Sequence, residues 1–129
     1  MEQTHLVTTT VDDRPTADSL ALSAVTARLA ACAQVGGPIT STYWWEGEIE
    51  TSSEWVVQLK TTTDRLDELI EHLRVAHPYD VPEVVAVPVS AATPITSPGC
   101  TPRSTPRYGN SGRGLSGHDR MPGCSLIPI

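Results

Sequence analysis

Along residues 1–90 the apolar positions switch between two periods, and the switch points divide the segment into strands and helices. His5-Leu6-Val7-Thr8-Thr9-Thr10-Val11 is β-branched almost throughout and predicts a first strand. Asp12-Asp13-Arg14-Pro15 ends it, and Thr16 or Asp18 is placed to cap a helix. From Ser19 to Ala31, Leu22, Val25 and Leu29 recur at helical spacing, with Leu20, Ala24 and Ala27 beside them. Cys32-Ala33-Gln34-Val35 leads into Gly36-Gly37-Pro38, a break. Ile39 to Glu50 then predicts a long second strand, Thr51-Ser52-Ser53 a turn, and Glu54 to Thr61 a third strand, with Gly47 marking a bulge. Thr63-Asp64 offers a second cap ahead of Leu66, Leu69, Ile70 and Leu73, the stripe of an amphipathic helix that Pro78 stops. Val84 to Val89 is apolar on both faces and predicts a fourth strand, central or covered.

The order β-α-β-β-α-β is that of an α+β, ferredoxin-like sandwich: an antiparallel sheet with two helices on one face. The other face is left in need of a cover, and with the long hairpin it makes a natural surface for self-association. The small size of the domain points the same way, because short chains bury a smaller share of their surface.

Composition divides the chain in two. Up to Ser90 five Lys/Arg oppose fourteen Asp/Glu, a net charge of −9, whereas residues 91–129 carry four Arg and one Asp, a net of +3. The second part also holds six of the eleven Pro and six of the nine Gly. A tail with no apolar period buries too little surface to offset its ordering entropy, so residues 91–129 are expected to be a disordered appendage to a 1–90 domain. The acidic domain lacks the basic stripe that nucleic-acid phosphates require. No apolar run is long enough to span a bilayer, so neither nucleic acid nor membrane is expected as a partner. Met1-Glu2-Gln3-Thr4-His5 is not a signal-peptide start, which points to the cytoplasm. Three Cys without CxxC spacing indicate neither a disulfide framework nor a zinc knuckle.

Four segments carry a resemblance. Leu29-Ala30-Ala31-Cys32, Tyr43-Trp44-Trp45-Glu46-Gly47-Glu48-Ile49-Glu50, Leu59-Lys60-Thr61 and His77-Pro78-Tyr79-Asp80-Val81-Pro82-Glu83-Val84 together resemble the CutA family, small trimeric proteins associated with tolerance to copper and other divalent cations. The resemblance implies a homotrimer whose long strands pair across subunits and enclose clefts, similar to those of the PII signalling proteins that bind small molecules. Residues 1–90 hold no GxSxG, HExxH, Walker A or GxGxxG motif, and no enzymatic activity or obligatory cofactor is expected.

The candidate site residues each allow two roles. Cys32 is a soft ligand for a metal such as copper, or a small buried hydrophobe. His77 closes the second helix, either complementing its dipole or serving as a metal ligand, with oxygens from Tyr79, Asp80 and Glu83 nearby. The metal-ligand candidates are therefore Cys32, His77 and Glu83. Tyr43, Trp44 and Trp45 alternate faces along a strand, so one Trp is expected to point into a core or interface. Lys60, the only Lys, is either an anion partner in a cleft or half of a cross-strand pair with Glu46 or Glu48. The cleft-binding candidates are Tyr43, Trp45, Lys60 and Tyr79, and the expected partners are further copies of the chain and a metal ion or small anionic ligand.

After the fourth strand the sequence departs from the family, whose members continue Gly-Gly-Asn-Pro-Asp-Tyr-Leu-x-Trp. With suitable synonymous codons, Ala91 to Cys100 shifted by one nucleotide encodes Gly-Gly-Asn-Pro-Asp-Tyr-Leu-Ala-Trp-Leu. The hypothesis is that residues 91–129 are a frameshifted C-terminus, in which Cys100, His118, Cys124 and the tail arginines carry no selected function. Resequencing the gene is expected to show a lost or gained base near the Ser90 codon; an intact frame ends the idea.

Overall fold

The computed structural model describes residues 3–99. Strand β1 (Thr4–Val11) is followed by helix α1 (Arg14–Thr26), strands β2 (Cys32–Trp45) and β3 (Glu48–Thr62), helix α2 (Thr63–Ala76) and strand β4 (Val84–Pro88). The strands form one sheet in the order β2-β3-β1-β4, with every neighbour antiparallel. This is the expected ferredoxin-like order. The tail beyond Gly99, with Cys100, His118 and Cys124, lies outside the described residues.

Alternation along the strands sorts the side chains. Val7 and Val11 of β1 and Val57 and Leu59 of β3 are buried against Ala17, Leu20 and Ala24 of α1 and Leu69 and Leu73 of α2. The residues that alternate with them face the other way, as do Val85 and Val87 of β4, which stand opposite Thr8 and Leu6 and are 46 % and 47 % exposed. β4 is an edge strand in this chain, not a central one, which suits Pro88, because an edge position asks for no ladder donor.

Four boundaries differ from the sequence expectation, each for a local reason. α1 starts earlier because Asp13, not Thr16 or Asp18, is its cap: the carboxylate accepts from the Thr16 N–H at 2.7 Å. It ends at Thr26, before Arg28 takes a left-handed φ of 60°, so Leu29 and Ala30 reach the core from a turn. The core stripe is therefore Ala17, Leu20 and Ala24, whose small Ala side chains let the helix approach the sheet, while Leu22 stays 70 % exposed.

β2 runs through Gly36-Gly37-Pro38 as a bulge between Gly36 and Ile39. Gly37, at φ 138° and preceding a cis peptide to Pro38, holds a backbone conformation that favours glycine, and a Cβ there would stand a tight 3.1 Å from the Glu54 carbonyl oxygen. The hairpin reverses at Glu46-Gly47, not at Thr51–Ser53. Their φ values of 49° and 81° are both positive, as a two-residue type I′ turn requires. Thr40, Ser41 and Thr42 instead pair with Ser53, Ser52 and Thr51 in mid-ladder.

Leu20→Ala is expected to cost about 2–5 kcal/mol, as for other buried leucines, whereas Leu22→Ala should stay within about 0.5 kcal/mol of the parent. Urea unfolding midpoints of the two variants check this.

Candidate functional site

The ladder brings one set of candidate residues into a row on the open sheet face. Cys32 of β2 pairs with Lys60 of β3, Lys60 with Leu6 of β1, and Leu6 with Val87 of β4. Residues directly opposite share a face, so the Cys32 thiol and the Lys60 ammonium belong to one uncovered strip. Among the described residues Lys60 has no acidic partner. The alternative of a pair with Glu46 or Glu48 fails because those residues lie at the far end of the hairpin, opposite Trp45.

A second set gathers at the base of the hairpin. Tyr79 Oη donates to Glu54 Oε2 at 3.0 Å, and Glu54 is buried. Burial pushes the Tyr79 phenol well above its usual range, and its hydrogen bond to Glu54 and the negative charges of Glu54 and Asp12 push it further. Tyr43 adds to this effect. His77 is buried beside them, its ring in edge contact with Tyr79 at 4.6 Å between centroids. Both of its nitrogens are engaged: Nε2–H donates to the Thr10 carbonyl at 2.8 Å, and Nδ1 accepts from the Tyr79 N–H at 3.1 Å. The tautomer follows from these bonds. In this protomer His77 ties α2 to β1, and as a metal ligand it would first have to give up one of them.

The three metal candidates do not converge within one chain. Cys32 lies in the row of Leu6, whereas His77 is bonded at Thr10, four positions along β1 or roughly 13 Å at strand rise. The Glu83 carbonyl accepts from Thr9 Oγ1 at 2.7 Å, but its carboxylate is on an exposed residue. Among the described residues no three His, Cys, Asp or Glu side chains are grouped to hold a metal ion. The cleft set is divided in the same way. Tyr79 is bonded at the hairpin base through Glu54, Tyr43 stands opposite Glu50 nearer the tip, Trp45 is at the tip with 57 % exposure, and Lys60 is six residues beyond Glu54, roughly 20 Å away. Among the described residues neither Trp44 nor Trp45 is buried. Trp44 faces the side of Ile49 and is 72 % exposed, with Trp45 on the opposite side.

Sequence reasoning used Glu54 as the start of a strand. No local signal marks its burial, which arises only because β3 brings it to Tyr79. Nor was the contact of Ser23 with His72 legible. Ser23 Oγ and His72 Nε2 stand 2.9 Å apart in a cleft of about 420 Å³ between the helices, lined also by Pro15, Thr16, Ser19 and Ala76. Ser23 donates to the Leu20 carbonyl and so accepts from the imidazole N–H. A hydroxyl held in that way is not an activated nucleophile.

The profile of the CutA1 divalent ion tolerance proteins matches residues 5–95, most of the chain. The chain belongs to the CutA1 family. It is 42 % identical over 84 residues to the chloroplastic CutA 1 of Oryza sativa, covering 65 % of this chain and 48 % of that one. It is 39 % identical over 90 residues to the divalent-cation tolerance protein CutA of Thermus thermophilus, covering 70 % and 85 %. The chain thus spans about half the length of the plant CutA relatives it matches. Among solved structures, CutA1 of Ehrlichia chaffeensis superposes with a TM-score of 0.69 at 31 % identity, covering 72 % of this chain and 87 % of that one. CutA1 of Oryza sativa gives 0.68 at 38 % identity, covering 70 % and 84 %. The β-α-β-β-α-β architecture is therefore the CutA1 fold. No helix among the described residues is long and apolar enough to cross a membrane.

Tyr79→Phe leaves the buried Glu54 carboxylate without its donor and is expected to cost about 1–3 kcal/mol at neutral pH. Because the folded-state phenol titrates above its unfolded value, its contribution is complete below about pH 10 and is lost as pH rises through the folded value. Urea titrations at pH 7 and pH 10.5 should show the parent weakening with pH more than the variant.

Proposed function

We propose that the chain is a non-enzymatic, cytoplasmic divalent-cation tolerance protein that assembles as a homotrimer and binds metal ions such as copper between subunits. One observation carries this reading. The candidate residues are built into the fold, but in a single protomer they are divided between the two ends of the sheet. Assembly is the step that can bring Cys32 and Lys60 of one copy toward the hairpin-base residues of another. The uncovered sheet face and the exposed Tyr43, Trp44, Trp45 and Ile49 supply the apolar area that such assembly needs. The divalent-cation tolerance names of relatives from Thermus thermophilus and Escherichia coli support the cation part. Within it, Cys32 and Glu83 are the ligands with side chains available, and His77 joins them only by releasing Thr10 or Tyr79.

Lys60 supports a second reading. An ammonium that has no acidic partner among the described residues suits a small anionic ligand in a PII-like cleft on the open face, with metal incidental. Calorimetric titration of Lys60→Ala and Cys32→Ala with copper and with nucleotides separates the two. Under the metal reading Cys32→Ala loses copper affinity by at least tenfold and Lys60→Ala keeps it; under the sensor reading Lys60→Ala abolishes anion binding.

Light scattering in metal-free buffer is expected to give three times the 13.8 kDa of one chain. Trp44→Ser combined with Ile49→Ser should shift that mass to the monomer, and a trimer that survives both substitutions would remove the hairpin from the interface.

A further inference from the structure

The segment after β4 does not leave the domain. It crosses back to the first turn of α2, where Ser97 and Pro98 are buried. Residues 91–99, the first part of the expected appendage, thus run beside the domain. α2 is poorly capped by its own sequence, because its cap residue Thr62 makes no side-chain bond to the helix amides. Thr62 Oγ1 instead donates to Asp64 Oδ1. Ser97 Oγ donates to the other oxygen, Asp64 Oδ2, at 2.7 Å, and stands 3.3 Å from Thr62 Oγ1. The Gly99 N–H turns back onto Ser97 Oγ at 3.4 Å. The strap lies tight on the helix: a Cβ at Gly99 would come within 2.7 Å of Arg65 Nε.

Three further bonds tie the same corner together. The Thr63 N–H donates to the Gln3 carbonyl at 3.1 Å, Gln3 Nε2 donates to the Val89 carbonyl at 2.7 Å, and the Val89 N–H donates to the Thr4 carbonyl at 2.9 Å. The start of β1, the exit of β4 and the start of α2 thus form a ring, and Ser97 closes it from outside. The Asp64 carboxylate accepts from both sides, with the positive end of the helix dipole behind it.

We propose that residues 91–99 are a strap that fastens the N-terminal end of α2 to the exit of β4, with Ser97–Asp64 as its clasp. Opening the clasp frees these two elements together and leaves the sheet centre closed, as expected of a local unit whose opening costs less than global unfolding. The strap fastens the end of the sheet that carries Cys32 and Lys60, since Asp64 follows Lys60 across the β3–α2 junction.

Amide hydrogen exchange on the full chain tests this. Ser97→Ala should accelerate exchange at Thr63, Asp67 and Val89 together by roughly three- to tenfold, the measure of one net hydrogen bond, while Val57 and Leu59 keep their rates. Asp64→Asn, which keeps one acceptor oxygen but removes the charge at the start of α2, should also accelerate these amides, and the double variant should fall short of the sum of the two single effects, because both act on the Ser97–Asp64 contact. Gly99→Ala, which pushes on Arg65 from the strap side, should give the same pattern while keeping the Ser97 and Asp64 side chains themselves. Unchanged rates in Ser97→Ala, additive effects in the double variant, or a uniform rise that includes Val57 and Leu59 would each overturn the strap.

Discussion

The constraint on which the rest of the structure depends is that four strands have two faces and two helices cover only one. A pleated strand points successive side chains to opposite sides, so Val7, Val11, Val57 and Leu59 are paid for by α1 and α2 while Leu6, Lys60, Val85 and Val87 are left outside. The helices also fix which residues count as core. Ala17 and Ala24 bring α1 close to the sheet, and this closeness leaves Leu22 on the solvent side. An uncovered, half-apolar sheet face is an unstable end state for a domain this small, and a second copy of the same surface is the simplest cover.

The hairpin follows from the same economy of contacts. β2 and β3 continue past the sheet because the Glu46-Gly47 turn closes them tightly, and the polar Thr40–Thr42 and Thr51–Ser53 ladder holds them in register in the absence of a core. Beyond Ile39 the arm has backbone pairing but little packing of its own. Its aromatic side chains Tyr43, Trp44 and Trp45 are therefore left exposed.

At the base of that arm the polar residues are largely consumed by the fold. His77 bridges Thr10 and Tyr79, and Tyr79 satisfies Glu54, so three side chains with chemical potential act first as fasteners. Buried polar groups are stable only when bonded, and the bonds that stabilise them also occupy their donors and acceptors. Cys32 and Lys60 on the open face are in the opposite condition. They are held in place by the ladder, and among the described residues Lys60 has no acidic partner.

The sequence by itself determined the element order, the strand faces and the family, because alternation, helical spacing and motifs such as Tyr43–Gly47 and His77–Glu83 are local properties of the chain. It also determined which residue types are available for metal or anion chemistry. Tertiary structure decided which of them meet. The cap of α1 at Asp13, the turn at Glu46-Gly47, the burial of Glu54 beneath Tyr79 and the placement of Ser97 on Asp64 all depend on groups brought together from distant positions or on backbone angles that several residue types can adopt. The separation of Cys32 from His77 was equally hidden, since it is set by ladder register, and register is a relation between strands that no single segment contains.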